Sequence, residues 1–387
     1  MRATYSGFQR GYPRTVAAKV KEVGTGKNLG RAGRVNFRLS RRSAIFKDIE
    51  LKRSPSFSTN QMSPGDGCAS NAKHPSEGLD TSPLSRCEDG RLIGCAAVVV
   101  TYFPSAANLR NVEAISRQFG MTIVVDNNSP AEARSEMEKI AATDQKIRLL
   151  LWQTNQGLAA ACNAGIRSAE EKGFAWAATF DQDTTVPADF AKQIATGAGS
   201  RSWPPNVGLF APCHIHPKSG RASAYAPMVR RGEGYSDIAA AIQSGCIFNL
   251  KVHAAVGGFA EALFIDYVDY EYSFRLKKLG YRLIQLDNAV LVHEVGEKQY
   301  RKMLGLPIRL PVNVHSPVRQ YYLLRNRVYV MMRYGLRHLN WTFREMTHGT
   351  AVLVALLLTD KEGRQCLKLA LKGIKDGLCG RLGKLGP

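Results

Sequence analysis

The stretch "GCAAVVVTYFP", residues 94–104, is an unbroken apolar run that closes on a polar residue, an aromatic and a proline. It is far too short to cross a bilayer, and it lacks the polar alternation of a half-exposed strand. A strand covered on both faces fits it best. No Gly-x-Gly-x-x-Gly follows, so the turn cannot bring bare backbone up to a pyrophosphate, and a dinucleotide-binding dehydrogenase is disfavoured. The pattern repeats downstream as "MTIVVDN" (121–127), "IRLLLW" (147–152) and "FAWAATF" (174–180). Helical segments separate these runs: 108–119, "AEARSEMEKIAA" and "GLAAACNAGIRSAEEK". Strand and helix in alternation predict an α/β fold with a mostly parallel sheet flanked by helices, its strand ends converging along one edge.

Three polar sites are expected at that edge. Thr101-Tyr102 and Asp126-Asn127 offer a stacking ring and hydrogen-bond partners for a base, although "DNNS" is also a good turn by itself. In "NQGLAAACNAGI" (155–166), Asn155 and Gly157 open a helix whose N-terminus could favour a phosphate or ribose, with Asn163 further along. A capped helix packed closely through its small residues is the plainer alternative. Asp181 and Asp183 in "FDQDTT" admit two chemistries. They hold Mg²⁺ or Mn²⁺ against a diphosphate, or Asp181 is the nucleophile and Asp183 the acid/base of a haloacid-dehalogenase phosphatase. Three strand–helix units precede the motif, and that position favours the metal.

After Pro187 the pattern loosens. A helix over 188–197, a strand near "VGLFAP", an irregular or hairpin stretch through 220–236 and a strand at "IQSGCIFNL" (242–250) are expected. "DYVDYEYSFRLKKLG" reads as a helix closed by Gly280, followed by separate strands "YRLIQLD" and "AVLVHE", a basic loop, and helices over 316–335 and about 341–376. Asp269 falls in the first turn of its helix, with Glu271 and Arg275 following. Asp269 suits a general base oriented by Arg275. His293, at the end of an apolar strand, is a structural histidine or a late metal ligand. "VRQYYLLRNRVY" (318–329) puts Arg319, Tyr322 and Asn326 on one helical face, with Arg325 beside Tyr321; arginine there can grip phosphate.

The net charge is +21 over 387 residues, and residues 1–53 carry 14 Lys or Arg against Glu22, Asp48 and Glu50. An anionic partner is implied. Nucleic acid is not expected, because no basic motif with interleaved aromatics appears beyond residue 90. The eight cysteines form no C-x-x-C pair, so buried free thiols in a reducing compartment are expected. Residues 1–90 have the composition of a basic, disordered segment or of sequence upstream of a misassigned start, with Met62 an alternative start. The expected division is 1–90, a catalytic domain over 91–300 and a helical region over 301–387.

Taken in order, "VVVTYFPS", "IVVDNNS", "NQGLAAACNAGI", "FDQDTTVP", "QSGCIFNL", "FIDYVDYEYSFRLKKLGYRL", "VLVHE" and "VRQYYLLRNRVYVMMRYG" resemble family 2 inverting glycosyltransferases of the GT-A fold, and among them bacterial rhamnosyltransferases. The resemblance covers about residues 94–335. It implies a nucleotide-sugar donor, dTDP-L-rhamnose or another dTDP- or UDP-sugar. Tyr102, Asp126 and Asn127 would hold the pyrimidine, and Thr101, Asn155, Gly157, Asn163, Ser244, Gly245, Arg275 and Arg325 would complete the donor site. Asp181 would hold the ribose, Asp183 and His293 the cation, and Asp269 would be the catalytic base. The family commonly places Glu before that aspartate; this chain has Val268, which leaves Glu271 as a second candidate. The expected acceptor is a saccharide or lipid-linked saccharide of a cell-surface polysaccharide such as O-antigen: in the basic C-terminal part, "AVLVALLL" (351–358) and "CLKLALKGIKDGL" (366–378) could lie in a membrane interface, with packed core helices the equal alternative. A cytoplasmic enzyme in peripheral contact with the inner membrane face is expected.

Overall fold

Successive side chains of a strand point to opposite faces, and the strand Arg91–Thr101 is buried on both. Cys95, Ala97 and Val99 enter one apolar core, while Ala96, Val98 and Val100 enter the other. Such a strand belongs in the middle of a sheet between helices. This computed structural model places it there. The structure describes residues 80–215, 228–292, 299–303, 306–312, 315–357 and 361–386.

A short helix α1 (Ser82–Ser85) and strand β1 (Cys87–Glu88) lead into β2 (Arg91–Thr101). Three helix–strand units follow: α2 (Ala106–Ser116) and β3 (Phe119–Asp126), α3 (Ala131–Thr143) and β4 (Ile147–Leu151), α4 (Leu158–Glu171) and β5 (Trp176–Asp181). Helix α2 starts two residues before the position expected. Ser105 Oγ accepts the Asn108 N–H while the Asn108 side chain accepts the Ser105 N–H, a reciprocal cap that fixes the first turn. Strands β4, β3, β2 and β5 are adjacent and parallel. Thr101 pairs with Asp126 and Val100 with Asp181, so the polar strand ends lie level along one edge.

Beyond β5 the sheet becomes mixed. Helix α5 (Phe190–Ala198) precedes β6 (Val207–Ile215), the hairpin β7 (Met228–Arg231) and β8 (Tyr235–Ile238), and β9 (Ile247–Asn249). Strand β9 is antiparallel to both β5 and β6, and it is much shorter than the expected 242–250. Gly245, at φ +82°, turns the chain just before it. Then come α6 (Leu250–Ala255), a 3₁₀ turn (Glu261–Leu263), α7 (Val268–Lys278) and β10 (Arg282–Val292). The two strands expected over 281–294 are one, whose extra residues between Gln285 and Val290 form a bulge against β6. The basic loop expected after 295 contains a hairpin, β11 (Gln299–Met303) and β12 (Leu306–Val312). Helix α8 (Pro317–Tyr334) matches expectation, whereas the final long helix is two, α9 (Leu339–Leu357) and α10 (Lys361–Leu378).

Helices cover both faces. Leu109, Val112, Ile115, Met137, Phe190 and Ile194 fill one core. Cys162 and Ile166 from α4 and Val268, Tyr272 and Leu276 from α7 fill the other. The cysteines at 87, 95, 162, 213, 246, 366 and 379 are free thiols, and most are buried. Among the described residues no helix is long and apolar enough to cross a membrane.

The small residues of α4 let it approach the sheet closely. A Cβ at Gly165 would lie 2.3 Å from Val98 Cγ1. Gly165→Ala is therefore expected to destabilise the fold by about 1–3 kcal/mol in chemical denaturation. Adding Val98→Ala, which vacates the clashing methyl, should recover part of that loss; a double variant no more stable than the single one would show that the contact is not limiting.

Candidate active site

Strand β5 delivers Asp181 to the sheet edge, and the turn that follows carries Asp183. The Asp181 N–H donates to Ser244 Oγ at 3.1 Å, Gln243 Nε2 donates to Asp181 Oδ1 at 2.6 Å, and Thr184 Oγ1 lies 2.6 Å from Ser244 Oγ. Ser244 is thus a buried brace under the acidic turn, and Gly245 bends the chain to present it, its N–H donating to Thr179 O. Across the cleft, Asp269 occupies the first turn of α7, where its Oδ1 accepts the Tyr270 N–H at 2.8 Å. Burial first, then the Asp183 and Asp269 charges, push the Asp181 carboxyl up to about 7. The Asp183 and Asp269 charges thus reach Asp181, opposed by the Arg319 charge and the Gln243 hydrogen bond.

The counter-charge comes from α8. Arg319 donates to both oxygens of Asp266, at 3.1 and 3.3 Å. Burial works against its charge, but Asp266, Asp181 and Asp183 outweigh that, and its pKa lies above the usual arginine value. His315 sits beside the same pair; burial and then Arg319 hold its pKa below the ordinary histidine value. The sequence placed Arg319 on a helical face, but nothing in the sequence pairs it with Asp266.

The turn before α7 is strained. Phe264, Asp266 and Tyr267 all have positive φ, near +60° to +70°, at roughly 1–3 kcal/mol each. Several contacts hold it. Asn326 Nδ2 donates to the carbonyls of Leu263, Ile265 and Asp266 at 2.7–3.0 Å, and Tyr322 stacks on Phe264 with centroids 5.0 Å apart. Tyr267 donates to Glu345 and accepts from Arg327, both at 2.5 Å.

Several expected site residues serve the scaffold instead. Glu271 is buried, accepting from Arg275 at 2.8–3.3 Å and from Tyr334 at 2.9 Å, so it is not placed to take a substrate proton. Arg275 correspondingly pairs with Glu271 rather than Asp269, and it also donates to the carbonyls of Val256 and Gly258. Arg325 is fully buried and donates to the carbonyls of Gly383, Ala262 and Leu263, out of reach of a phosphate. Asn163 spends its amide on Phe259, Glu261 and His253. The start of α4 is not open to an anion at its first amide, because the Leu158 N–H donates to Phe264 O at 2.7 Å. Gly157 fits there at φ +90°, with Phe264 O only 2.6 Å from where a Cβ would stand. Asn155 closes the same turn on the Gly157 N–H.

The residues expected to hold a base are divided. Tyr102 is 47 % exposed, and its backbone is clamped in both directions by the Gln182 side chain. Asp126 is fully buried and accepts from Thr101, Ser129 and Arg134, while Asn127 Oδ1 accepts the Gln156 N–H. His293 lies outside the described residues; its neighbour Val292 bridges to Thr185, next to the acidic turn. Among the described residues no group of three or more His, Cys, Asp or Glu is arranged to hold a metal ion by itself.

The chain is similar to known glycosyltransferases. Residues 97–199 match the sequence model of glycosyl transferase family 2. The dTDP-rhamnosyl transferase RfbF of Shigella flexneri is 29% identical over 297 residues, 74% of this chain and 96% of that protein. Solved structures with similarity include GalNAc-T7 with UDP, GalNAc and Mn²⁺ (TM-score 0.47, 14% identity, 73% of this chain and 55% of that one). Another is the mannosyltransferase PcManGT of Pyrobaculum calidifontis with GDP-Man and Mn²⁺ (TM-score 0.45, 17% identity, 81% of each chain). This chain thus spans about half of the first and most of the second. Those TM-scores are low, so the assignment rests on the family model and the sequence relative. No comparison supports the phosphatase alternative.

The raised Asp181 carboxyl has a consequence for stability. In the unfolded chain it ionises near 3.8, in the fold near 7, so between those values the folded state binds more protons and stability falls as pH rises. Chemical denaturation of the cation-free protein from pH 4 to 8 should show that decline, and Asp181→Asn should remove part of it. An unchanged slope in the variant would contradict the assignment.

Proposed function

Since the chain carries a family 2 glycosyl transferase domain and is a glycosyltransferase, we propose that it transfers L-rhamnose from dTDP-L-rhamnose to a hydroxyl of a saccharide or lipid-linked saccharide, with inversion. The observation that supports this reading is the convergence of Asp181, Asp183 and Asp269 at the carboxyl edge of the sheet, opposite Arg319. The rhamnosyl donor is suggested by the RfbF relative. The acceptor belongs to cell-envelope polysaccharide synthesis such as O-antigen, in the cytoplasm.

Asp269 takes the proton of the acceptor hydroxyl as it attacks the anomeric carbon from the side opposite the nucleotide. Its place in the first turn of α7 favours the anion, which suits a base needed only late in the step. Tyr102 stacks on the base, and the Asp181 turn binds the ribose. Arg319, held by Asp266, receives the diphosphate as charge develops on it. The oxygen donors of Asp181 and Asp183, one residue apart at the sheet edge, fit a hard divalent cation, Mg²⁺ or Mn²⁺. Asp183, with Asp181 and a place for His293, would hold it, the diphosphate supplying further oxygens. Such a cation supplies neutralisation of the leaving group.

Two measurements check this. A screen of nucleotide sugars with Mg²⁺ or Mn²⁺ should show slow, cation-dependent hydrolysis of dTDP-L-rhamnose and a thermal shift by dTDP. No shift with any dTDP or UDP compound and either ion would refute the reading. Asp269→Asn should lower transfer roughly 100- to 10,000-fold with the melting temperature unchanged. Glu271→Gln should instead lower stability, by about 1–3 kcal/mol, because it leaves the half-buried Arg275 without its partner charge. If Glu271→Gln abolishes transfer in a protein of native stability, the roles are reversed.

A further inference from the structure

Helix α9 has two apolar faces. One, formed by Trp341, Gly349 and Leu356 together with the ion-paired Glu345, is buried against the body of the protein. The other carries Leu339, Phe343, Met346, Val354 and Leu357, all exposed, with Phe343 at 71 % and Leu339 at 65 %. These positions recur at three, four and eight residues, which at 3.6 residues per turn puts them in a stripe on one side of the helix, with exposed Thr350 between Met346 and Val354. At about 1.5 Å per residue it runs the length of the helix. The preceding corner extends it with Met332 and Leu336, the latter 90 % exposed. A stripe of this size on a monomer marks an interaction surface.

The charges beside it select the partner. Exposed Arg333 and Arg337 alternate with Met332 and Leu336. The carboxylate in this stretch, Glu345, is turned inward onto Tyr267 and Arg327. Lys368, Lys372 and Lys375 are exposed on the neighbouring α10. A second copy would bring the same positive charge against this one, and residues 1–53 of the chain are themselves strongly basic. We propose that the α8–α9 corner and the outer face of α9 lie in the interface of a bilayer containing anionic lipids, with the stripe among the acyl chains and the arginines at the headgroups.

This surface is closely tied to the candidate base. The Tyr270 ring packs on Trp341 with centroids 5.2 Å apart, Arg344 donates to the Tyr270 hydroxyl, and Glu345 accepts from Tyr267. Tyr267 and Tyr270 flank Asp269 in α7. One layer of side chains therefore separates the lipid-facing helix from the helix that carries Asp269. A lipid-linked acceptor would meet the enzyme on this side. The inference extends the proposed transferase reading, yet its test is separable, because vesicle binding does not require turnover.

Flotation of the full-length protein with phosphatidylcholine vesicles, with and without phosphatidylglycerol, tests it. The protein should float with the anionic vesicles and remain soluble with the neutral ones. Phe343→Ser with Met346→Ser, both at exposed sites, should lower binding about tenfold or more, with dTDP-sugar hydrolysis and melting temperature retained. Arg333→Ala with Arg337→Ala should lose about tenfold or more, only with anionic vesicles. Wild-type protein that stays soluble with all vesicles, or a Phe343/Met346 variant that floats like wild type, overturns the proposal. So does a wild-type dimer in sedimentation that this variant dissociates.

Discussion

Negative charge crowded at one edge of a sheet is the constraint that organises this protein. Asp181, Asp183 and Asp269 come from a strand end, a turn and a helix start, and they are close enough that the latter two help keep the Asp181 carboxyl from ionising at its ordinary pH. Folding alone gains nothing from such an arrangement, since like charges in a partly desolvated cleft repel. The surrounding polar groups hold the Asp181 turn in position. Gln243 and Ser244 fix the Asp181 turn from below. Arg319 is the cation that shares their field, and it is already tethered to Asp266.

Keeping Asp269 across from that turn takes a second layer of structure. Three non-glycine residues with positive φ lie just before α7, a conformation that persists only when neighbours fix it. Helix α8 does so through Asn326, Tyr322 and Arg325, which together bind the carbonyls and ring of residues 262–266. The start of α4 closes the turn from the other side, with Gly157 against Phe264. The C-terminal helices thus complete the cleft. They hold Tyr267 and Tyr270, which flank Asp269, and present an apolar stripe outward.

The parallel half of the fold was readable because its strands, buried on both faces, leave continuous apolar runs between amphipathic helices. The antiparallel insertions were harder. Strand β9 is three residues long, and its direction is set by pairing between β5 and β6, which no local pattern records. Asp181, Asp183 and Asp269 could be singled out from the sequence, because aspartates at strand ends and helix starts have few structural tasks there. The surroundings of Arg275, Arg325 and Asn163 were not legible. Each is polar and lies in a helix, but it bonds carbonyls or side chains from distant segments such as 256–263 and 383. Glu271 pairs with Arg275 one turn on, but its second partner, Tyr334, is also distant. Arg319 could be placed on a helical face from its spacing, whereas its pairing with Asp266, 53 residues away, required the fold.

Counting bound Mn²⁺ by the loss of its free-ion paramagnetic resonance signal, with and without dTDP, probes whether the acidic edge is a cation–diphosphate site. The account expects one Mn²⁺ per chain to bind together with dTDP, and both to be lost in Asp183→Asn. Tight dTDP binding that is indifferent to chelator and to that substitution would mean that the diphosphate is held elsewhere.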